Sequence, residues 1–419
     1  MSFREFIGQA KESGDLIVIE RPVSTSYEIA NVAHALDGLP VLFESITEHP
    51  GWRICAGVCS DRRYFSMDLG VSVDELLPTL GRALAQPIVP PLVNQGSCQE
   101  VVVEDFSLYD LPILLHLPQD AGYYVASNVA ITKDPDLGRN MCYHRLLRLD
   151  ERRFAARIVE RRGTATALSK TEGDLPIALC IGVSLATHLA ASMSPPPGVD
   201  ELSVAHALSP TPLVKCLTSD LEVPADAEIV LEGRITRQLI SEGPFLDLTE
   251  TMDIVRQQPI IEIDLLTHRK DPIYHALLPG GLEHKLLMGM PREPTILAEV
   301  NKDVKCTGVV ITPGGASWLH AIVQIDKRGP DDGKKAIKAA FRGHSSLKHV
   351  WVVDTDIDIY DEKAVEWAMA TRFQADQDLI IFPDQPGSSL DPSGTHTPGE
   401  KSRTAKLGLD CTIPWGADA

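Results

Sequence analysis

Residues 224–235 read PADAEIVLEGRI, and they decide which fold the middle of the chain adopts. Glu228 and Glu232 have the spacing of one helix face, but the apolar, β-branched residues between them favour a strand. We therefore predict a strand, with structural roles for both carboxylates. More short strand patterns flank it, separated by turn clusters such as DPDLGRN: YVASNVAITKD, YHRLLRL, FAARIVE, PIALCIGV and PIIEIDLLTH. Many short strands with few helices indicate a barrel or a strongly bent sheet over residues 100–275.

Helix and strand patterns alternate in both ends of the chain. Before residue 95 we predict helices in FREFIGQAKESGD, SYEIANVAHAL and SVDELLPTLGRALAQ, and strands in LIVIE, PVLFESI and WRICAGV. After residue 285, strands such as LHAIVQI and DLIIFPD alternate with helices in DDGKKAIKAAFRG and EKAVEWAMATRF. We predict a mixed α+β and α/β multidomain protein, divided into 1–95, 96–285 and 286–419.

Composition excludes several classes of protein. The formal charge is -19, whereas a nucleic-acid-binding protein needs a surface rich in basic residues. The chain has no apolar run long enough to span a membrane, and its N-terminus has no secretory h-region. The eight cysteines are scattered without a CxxC pair, which favours reduced thiols over a metal cluster. We expect a cytoplasmic protein without nucleic-acid partners.

Two carboxylates flank a Gly-Pro turn in EGPFLD, residues 242–247. Gly243-Pro244 forces a bend, so Glu242 and Asp247 should lie on neighbouring strands or loops. One interpretation is a surface turn with solvated acids. The other is a functional pair, in which one acid stays ionised and the other is held protonated as a proton donor.

Arg145 lies in NMCYHR, residues 140–145, inside an apolar strand pattern. An arginine that is buried in a strand usually pairs with an anion, whereas an outward-facing one is solvated. The functional interpretation is a two-pronged clamp on a substrate carboxylate, with the guanidinium oriented by an acid such as Glu242.

Six stretches, in order along almost the whole chain, resemble the UbiD family of decarboxylases, which use prenylated FMN: NMCYHR, AARIVERRG, PADAEIVLEG, EGPFLDLTETMD, DPIYHALLPGGLEHKLLMG and AKLGLDCT. The resemblance implies an N-terminal α/β domain, a split β-barrel that is similar to flavin reductases and binds the cofactor, and a C-terminal α/β oligomerisation domain whose tail returns to the cofactor site. It implies reversible non-oxidative decarboxylation of an α,β-unsaturated or aromatic acid.

The resemblance also assigns residues. Arg145 would hold the substrate carboxylate, Glu242 would orient Arg145, and Asp247 would protonate the carbon that loses carbon dioxide. A divalent metal (Mn2+ or Mg2+) and K+ would accompany the cofactor, with Asn140 and Glu201 as the metal ligands. The implied cofactor-binding residues are Asn140, Cys142, His144, Arg157, Arg161, Ser192, Met193, Ser194 and Lys406.

Two departures from the family pattern affect these assignments. The histidine ligand of many relatives falls near Arg161, Arg162 and Gly163, where an arginine can bind phosphate but not a metal cation. Cys142 and His144 replace a small residue and a tyrosine.

The substrate and the partners follow from the short subgroup of the family that the chain resembles most. It favours a phosphorylated mevalonate-derived acid such as trans-anhydromevalonate 5-phosphate, with an aromatic or heteroaromatic acid as the alternative. The resemblance further implies a flavin prenyltransferase that supplies the cofactor, and a homodimer or higher oligomer. The other function classes are an FMN oxidoreductase and a non-catalytic carboxylase subunit.

Overall fold

The computed structural model describes residues 1–397 and 400–416. The chain divides into two compact units: an N-terminal unit of Met1–Leu76 with Arg82–His284, and a C-terminal unit of Leu77–Gly81 with the chain from Lys285 onward. Among the described residues, no helix is long and apolar enough to cross a membrane.

The first part of the N-terminal unit contains α1 (Phe3–Ser13), β1 (Ile17–Ile19), α2 (Glu28–Ala35), β2 (Val41–Phe43), β3 (Arg53–Ala56), α3 (Arg62–Leu69) and α4 (Val73–Ala85). The predicted helices and strands of this part are confirmed. Helix α3 was not predicted, although Asp61 caps its start by accepting the Arg63 N–H and Gly70 ends it in the left-handed conformation.

The central part is rich in short strands. They are β4 (Val101–Val103), β5 (Tyr124–Val125), β6 (Val129–Asp134), β7 (Gly138–Tyr143), β8 (Leu146–Arg148), β9 (Arg153–Ala156), β10 (Leu175–Ile181), β11 (Leu213–Lys215), β12 (Glu222–Pro224), β13 (Ile229–Glu242), β14 (Phe245–Leu246), β15 (Met252–Asp253), β16 (Arg256–His268) and β17 (Ile273–Ala276). Helices α5 (Gly163–Lys170), α6 (Leu185–Ser192) and α7 (Glu201–Leu208) interrupt them.

Nine of these strands form one bent sheet in the order β5-β8-β9-β16-β13-β10-β6-β7, with β4 paired to β16. The sheet is open, since β5 and β7 end it at opposite edges, and this is the split form of a barrel. The long β13–β16 pair bends at a register shift after Glu232. Gly233 is required there, because a Cβ would lie 2.0 Å from the Glu262 carbonyl oxygen.

The stretch that includes Glu228 and Glu232 is a strand, as predicted. Glu228 lies immediately before β13 and accepts two hydrogen bonds from Arg4, at 2.7 and 2.8 Å. Glu232 accepts the backbone N–H groups of Leu217 and Thr218 at 2.9 and 2.7 Å. Both carboxylates are buried and tie separate segments to the sheet, so their structural roles are confirmed.

A second sheet of the N-terminal unit has the order β1-β2-β3-β17. One buried apolar core includes residues of both sheets, among them Phe43, Ile54, Phe154, Leu231 and Tyr274.

The C-terminal unit carries a five-stranded sheet of order β18-β19-β20-β22-β21. Its elements, together with α8, which leads into it, are α8 (Leu282–Gly289), α9 (Glu293–Val300), β18 (Cys306–Ile311), β19 (His320–Ile325), α10 (Asp332–Gly343), β20 (His349–Asp354), α11 (Glu362–Arg372), β21 (Leu379–Pro386) and β22 (Arg403–Asp410). Strand β22, which the sequence pattern left unassigned, lies between β20 and β21.

Candidate active site

A largely buried arginine, whose side chain is 10% exposed, lies at one end of the bent sheet, in the short connection between β7 and β8. Arg145 holds this position because its carbonyl oxygen accepts the Arg157 N–H at 3.0 Å. Glu242 ends β13, and the chain then turns through Gly243, at φ +97, into the β14–β15 hairpin. A Cβ at residue 243 would lie 3.0 Å from the Ile254 carbonyl oxygen, so the turn needs glycine.

The structure brings the three predicted catalytic residues together. Arg145 donates from Nε to Glu242 Oε1 at 2.9 Å and from Nη2 to Glu242 Oε2 at 3.0 Å, a two-pronged ion pair. Its Nη1 donates to Asp247 Oδ2 at 3.1 Å. Glu242 has no solvent exposure, and its Oε1 also accepts the Tyr124 hydroxyl at 3.1 Å. The surface-turn interpretation is therefore wrong for Glu242.

Asp253 is a third carboxylate on the same guanidinium, and it was not among the residues predicted from the sequence. Arg145 Nη2 donates to Asp253 Oδ2 at 2.9 Å, and Arg256 Nη1 lies 2.6 Å from the same oxygen. The hairpin places Asp253 there, since it pairs with Phe245 in the β14–β15 register. Its position in EGPFLDLTETMD offered one more acid but no spacing that would have linked it to Arg145.

Charge governs the protonation of this cluster. Burial by itself would lower the pKa of Arg145, but the hydrogen bonds to Glu242 and the three nearby carboxylates outweigh it, so the pKa lies above its ordinary value. Burial favours the protonated form of Asp253, yet Arg256 and Arg145 together lower its pKa. Burial and the Glu242 charge raise the pKa of Tyr124, which keeps this hydroxyl a donor. The guanidinium and Asp253 are therefore ionised at neutral pH.

A small apolar cluster of Tyr124, Leu147, Ala155 and Phe245 borders this ion pair. The Phe245 ring centre lies 5.1 Å from the Arg145 guanidinium carbon and 4.3 Å from the Tyr124 ring. These rings exclude water from one side of the pair, which strengthens its electrostatic interaction.

Three predicted cofactor residues form a row at alternate positions, two of them in β7 and His144 directly after its end. Asn140 Nδ2 lies 3.8 Å from Cys142 Sγ, which lies 3.4 Å from His144 Nε2. Thr164, in the first turn of α5, contacts Cys142 Sγ at 3.3 Å and His144 Nε2 at 3.0 Å. Burial opposes charge on both groups, but their attraction lowers the pKa of Cys142 and raises that of His144. The row presents amide, thiol and imidazole groups together.

Two buried oxygens next to this row find no partner among the described residues. Thr132 Oγ1 belongs to the residue opposite Asn140 in the β6–β7 pair, so the two side chains share a face. Asn128 Oδ1 is also unpaired, while its Nδ2 donates to the His144 carbonyl oxygen. Buried polar atoms without partners are rare, and a polar ligand would satisfy them. These two oxygens are therefore available to a polar ligand such as a flavin.

The remaining predicted cofactor residues are more dispersed. Ser192 ends α6, and its Oγ donates to the His188 carbonyl oxygen at 3.2 Å; Met193 is buried, and Ser194 follows. Arg157 donates to Ile158 O and to Glu160. Arg161 is exposed.

Lys406 belongs to the C-terminal unit. Its Nζ donates to the Ser345 carbonyl oxygen at 2.7 Å, and burial lowers its pKa to about 8. A buried ammonium with this pKa keeps most of its charge at neutral pH, as a phosphate contact requires.

The two predicted metal ligands, Asn140 and Glu201, offer few donor atoms for a metal ion. Glu201 Oε2 accepts the Met141 N–H at 3.0 Å, and burial raises the pKa of Glu201 to about 7. The Asn140 carboxamide packs on Gly163, where a Cβ would lie 2.3 Å from its oxygen. The described residues contain no group of three His, Cys, Asp or Glu side chains that could hold a metal ion. Two ligands do not make a divalent-cation site from the protein alone, so we assign no step to a metal.

Family models match most of the chain. They are the 3-octaprenyl-4-hydroxybenzoate carboxy-lyase N-terminal domain at residues 7–84, its Rift-related domain at 92–282 and its C-terminal domain at 285–411. Anhydromevalonate phosphate decarboxylase of Methanothermobacter thermautotrophicus is 40% identical over 419 residues, covering 98% of this chain and 96% of the relative.

Solved structures also resemble this chain over almost its whole length. The UbiD-class enzyme HmfF from Pelotomaculum thermopropionicum, in complex with FMN, has a TM-score of 0.94 and 37% identity and covers 100% of this chain and 96% of that one. Apo 3,4-dihydroxybenzoic acid decarboxylase from Klebsiella pneumoniae has a TM-score of 0.91 and 27% identity and covers 99% and 94%. The mixed α/β fold with an open sheet is therefore confirmed, and the chain belongs to the UbiD family of decarboxylases.

Proposed function

We propose that this chain decarboxylates trans-anhydromevalonate 5-phosphate, an α,β-unsaturated acid, with prenylated FMN as cofactor. The observation that carries the proposal is the Arg145 guanidinium, which is paired with the fully buried Glu242 and has Asp247 and Asp253 beside it. The name of the Methanothermobacter relative, at 40% identity over almost the whole chain, supports the choice of substrate. A neighbour with bound prenylated FMN supports the cofactor.

Loss of carbon dioxide from an sp2 carbon leaves an electron pair that no standard side chain accepts, and prenylated FMN supplies that acceptor when it is bound. Arg145 would hold the substrate carboxylate through two N–H groups and so fix the scissile bond. Glu242 has no exposure and would keep the guanidinium in one orientation.

Asp247 would deliver the proton that replaces carbon dioxide on the carbon. Its side chain is 21% exposed, against 0% for Glu242 and 16% for Asp253, so it is the carboxyl of this cluster with the most access to water. Each turnover consumes one proton, and a donor that contacts both solvent and substrate can be reprotonated. The Asp247 Oδ1 is fixed by the Leu248 N–H at 2.7 Å.

An aromatic acid is the alternative substrate. The 3,4-dihydroxybenzoic acid decarboxylases of Klebsiella pneumoniae and Enterobacter cloacae share the fold at 27% and 26% identity. The higher identity to the Methanothermobacter enzyme favours the phosphorylated acid. Membership of a decarboxylase family argues against an FMN oxidoreductase, and the complete Arg145, Glu242 and Asp247 set argues against a non-catalytic subunit.

We further propose that the protein is cytoplasmic, that a flavin prenyltransferase supplies its cofactor, and that it forms a homodimer or higher oligomer. Arg157, Arg161 and Lys406 would contact phosphate. The proposed division into three domains and the return of the C-terminal tail to the cofactor belong to the same model. Mn2+ or Mg2+ and K+ stay predictions, because Asn140 and Glu201 need phosphate and water to complete a coordination shell.

The test is anaerobic co-expression with a flavin prenyltransferase, followed by cofactor mass and carbon dioxide release. We expect about one prenylated FMN per chain and turnover of trans-anhydromevalonate 5-phosphate, but not of 3,4-dihydroxybenzoate. Turnover of 3,4-dihydroxybenzoate instead would reverse the choice of substrate. Binding of unmodified FMN alone beside an active prenyltransferase would refute the decarboxylase proposal.

A further inference from the structure

The hydrogen-bond donors of Arg145 are almost fully used. A guanidinium has five N–H groups, in two edges that each fit a carboxylate. Glu242 takes the edge of Nε and Nη2. Asp253 takes the second N–H of Nη2, and Asp247 takes one N–H of Nη1. The contacts among the described residues leave one N–H, on Nη1.

A substrate carboxylate therefore cannot bind Arg145 in two prongs without displacing a protein carboxylate. Glu242 is completely buried and holds the first edge, so the incoming group must use the edge of Nη1 and Nη2. The Nη2 half of that edge is held by Asp253 at 2.9 Å. Asp253 must therefore release Nη2 before a two-pronged contact can form on this edge, whichever N–H of Nη1 Asp247 holds.

The Asp253 carboxylate already contacts a second cation, Arg256, with which it can stay paired after it leaves Arg145. Arg256 Nη1 lies 2.6 Å from Asp253 Oδ2, the same oxygen that contacts Arg145. The other oxygen, Oδ1, accepts the Ile254 N–H at 2.9 Å and anchors the side chain. Glu242 and Asp247 have no second arginine or lysine among the ion pairs of the described residues. Burial raises the pKa of Asp253, and the hydrogen bond from Arg256 is the largest of the contacts that lower it.

We propose that Asp253 is a positioning residue that holds the substrate-binding edge of Arg145 and passes its ion pair to Arg256 when the substrate carboxylate binds. This rests on the proposed function, since it requires Arg145 to bind that carboxylate. It adds a determinant of affinity: the substrate competes with Asp253 for Nη2, and Arg256 sets how readily Asp253 yields.

The test is calorimetric titration of prenylated-FMN holoenzyme with 3-methyl-5-phosphooxypentanoate, the saturated counterpart of the proposed substrate, which cannot react. Asp253→Asn removes the competing charge and should tighten the Kd about tenfold. Arg256→Gln leaves Asp253 with Arg145 as its only cation and should weaken the Kd about tenfold. With the unsaturated substrate, Asp253→Asn should lower KM and leave kcat within a few-fold.

The chain offers a matched control pair. Asp150 and Arg153 form another i, i+3 Asp–Arg ion pair in the same unit, at 2.7 Å. Asp150→Asn and Arg153→Gln make the same charge changes away from Arg145 and should leave the Kd unchanged. The opposite signs at Asp253 and Arg256 separate this proposal from a structural role, which would weaken binding in both variants.

Three results have distinct meanings. Weaker binding in both Asp253→Asn and Arg256→Gln, or no change in either, would overturn the proposed exchange, in which Asp253 passes its ion pair from Arg145 to Arg256. Wild-type affinity in Arg145→Gln would instead overturn the proposed function, because the guanidinium would not hold the carboxylate. Opposite shifts in the two variants, with an unchanged Asp150 and Arg153 pair, would support the exchange.

Discussion

Glu242→Gln should destabilise the N-terminal unit and abolish most of the activity. The carboxylate has no solvent exposure and accepts three hydrogen bonds, two from Arg145 at 2.9 and 3.0 Å and one from Tyr124 at 3.1 Å. A glutamine keeps one oxygen acceptor, but its NH2 group would face Nη2, so two donors would meet. The variant loses one charge-assisted hydrogen bond and the nearest counter-charge of a buried cation.

The magnitude follows from what Arg145 retains. Breaking a fully buried ion pair costs about 3–5 kcal/mol. Asp247 and Asp253 still contact the guanidinium, at 3.1 and 2.9 Å, which reduces the loss. We therefore expect the free energy of unfolding to fall by about 2–4 kcal/mol. Because a misplaced guanidinium no longer fixes the substrate carboxylate, kcat/KM should fall by about a hundredfold or more.

Urea denaturation, followed by circular dichroism with unfolding of the N-terminal unit as the readout, gives the stability change if the slope with denaturant is unchanged. Tyr124→Phe is the graded control, since it removes only the 3.1 Å hydrogen bond and should cost about 1 kcal/mol. The double variant should cost less than the sum, because the Tyr124 hydroxyl donates to this same side chain and its hydrogen bond to a neutral glutamine is weaker than to the carboxylate. A loss below about 0.5 kcal/mol in Glu242→Gln, with normal turnover, would refute the buried ion pair.

Three further predictions concern individual groups. Asp247→Asn should lower kcat by about 10²–10⁴-fold in a carbon dioxide release assay, while the Kd of the saturated probe stays within a few-fold; full turnover would refute the proton-donor role. Iodoacetamide should label Cys142 first in peptide mass spectra, because the attraction of His144 outweighs burial and lowers the pKa of the Cys142 thiol. The other seven cysteines are buried, and burial raises their pKa values. Cys142→Ser should abolish the fast labelling, and faster labelling of another cysteine would contradict the prediction. Burial lowers the pKa of His116 to about 4. The neutral imidazole therefore contributes fully to stability above the unfolded pKa of about 6.5, and this contribution is lost as pH falls through about 4. Between these pH values the urea midpoint should fall less steeply with decreasing pH in His116→Gln than in the wild type, and an equal pH dependence in both would refute the lowered pKa of His116.

The sequence by itself determined the classes of local structure and the candidate residues. Period-two apolar patterns predicted the strands of the central sheet, because a half-buried strand needs an apolar residue at alternate positions. The residue types of Arg145, Glu242 and Asp247, with the Gly243-Pro244 turn, allowed a carboxylate-binding site as one of two interpretations, and the resemblance to the UbiD family assigned the roles. Helix α3 was not predicted, although its Tyr64 and Phe65 are buried.

Tertiary structure alone decided which carboxylates meet the arginine. Asp253 lies 108 positions from Arg145, and only the two residue pairs of the β14–β15 hairpin carry it back to the guanidinium. The contact of Cys142 and His144 with Thr164 likewise depends on where α5 begins relative to β7. Strand pairing and helix placement depend on the burial of the whole sheet, so a local pattern can specify the side chain but not its partner.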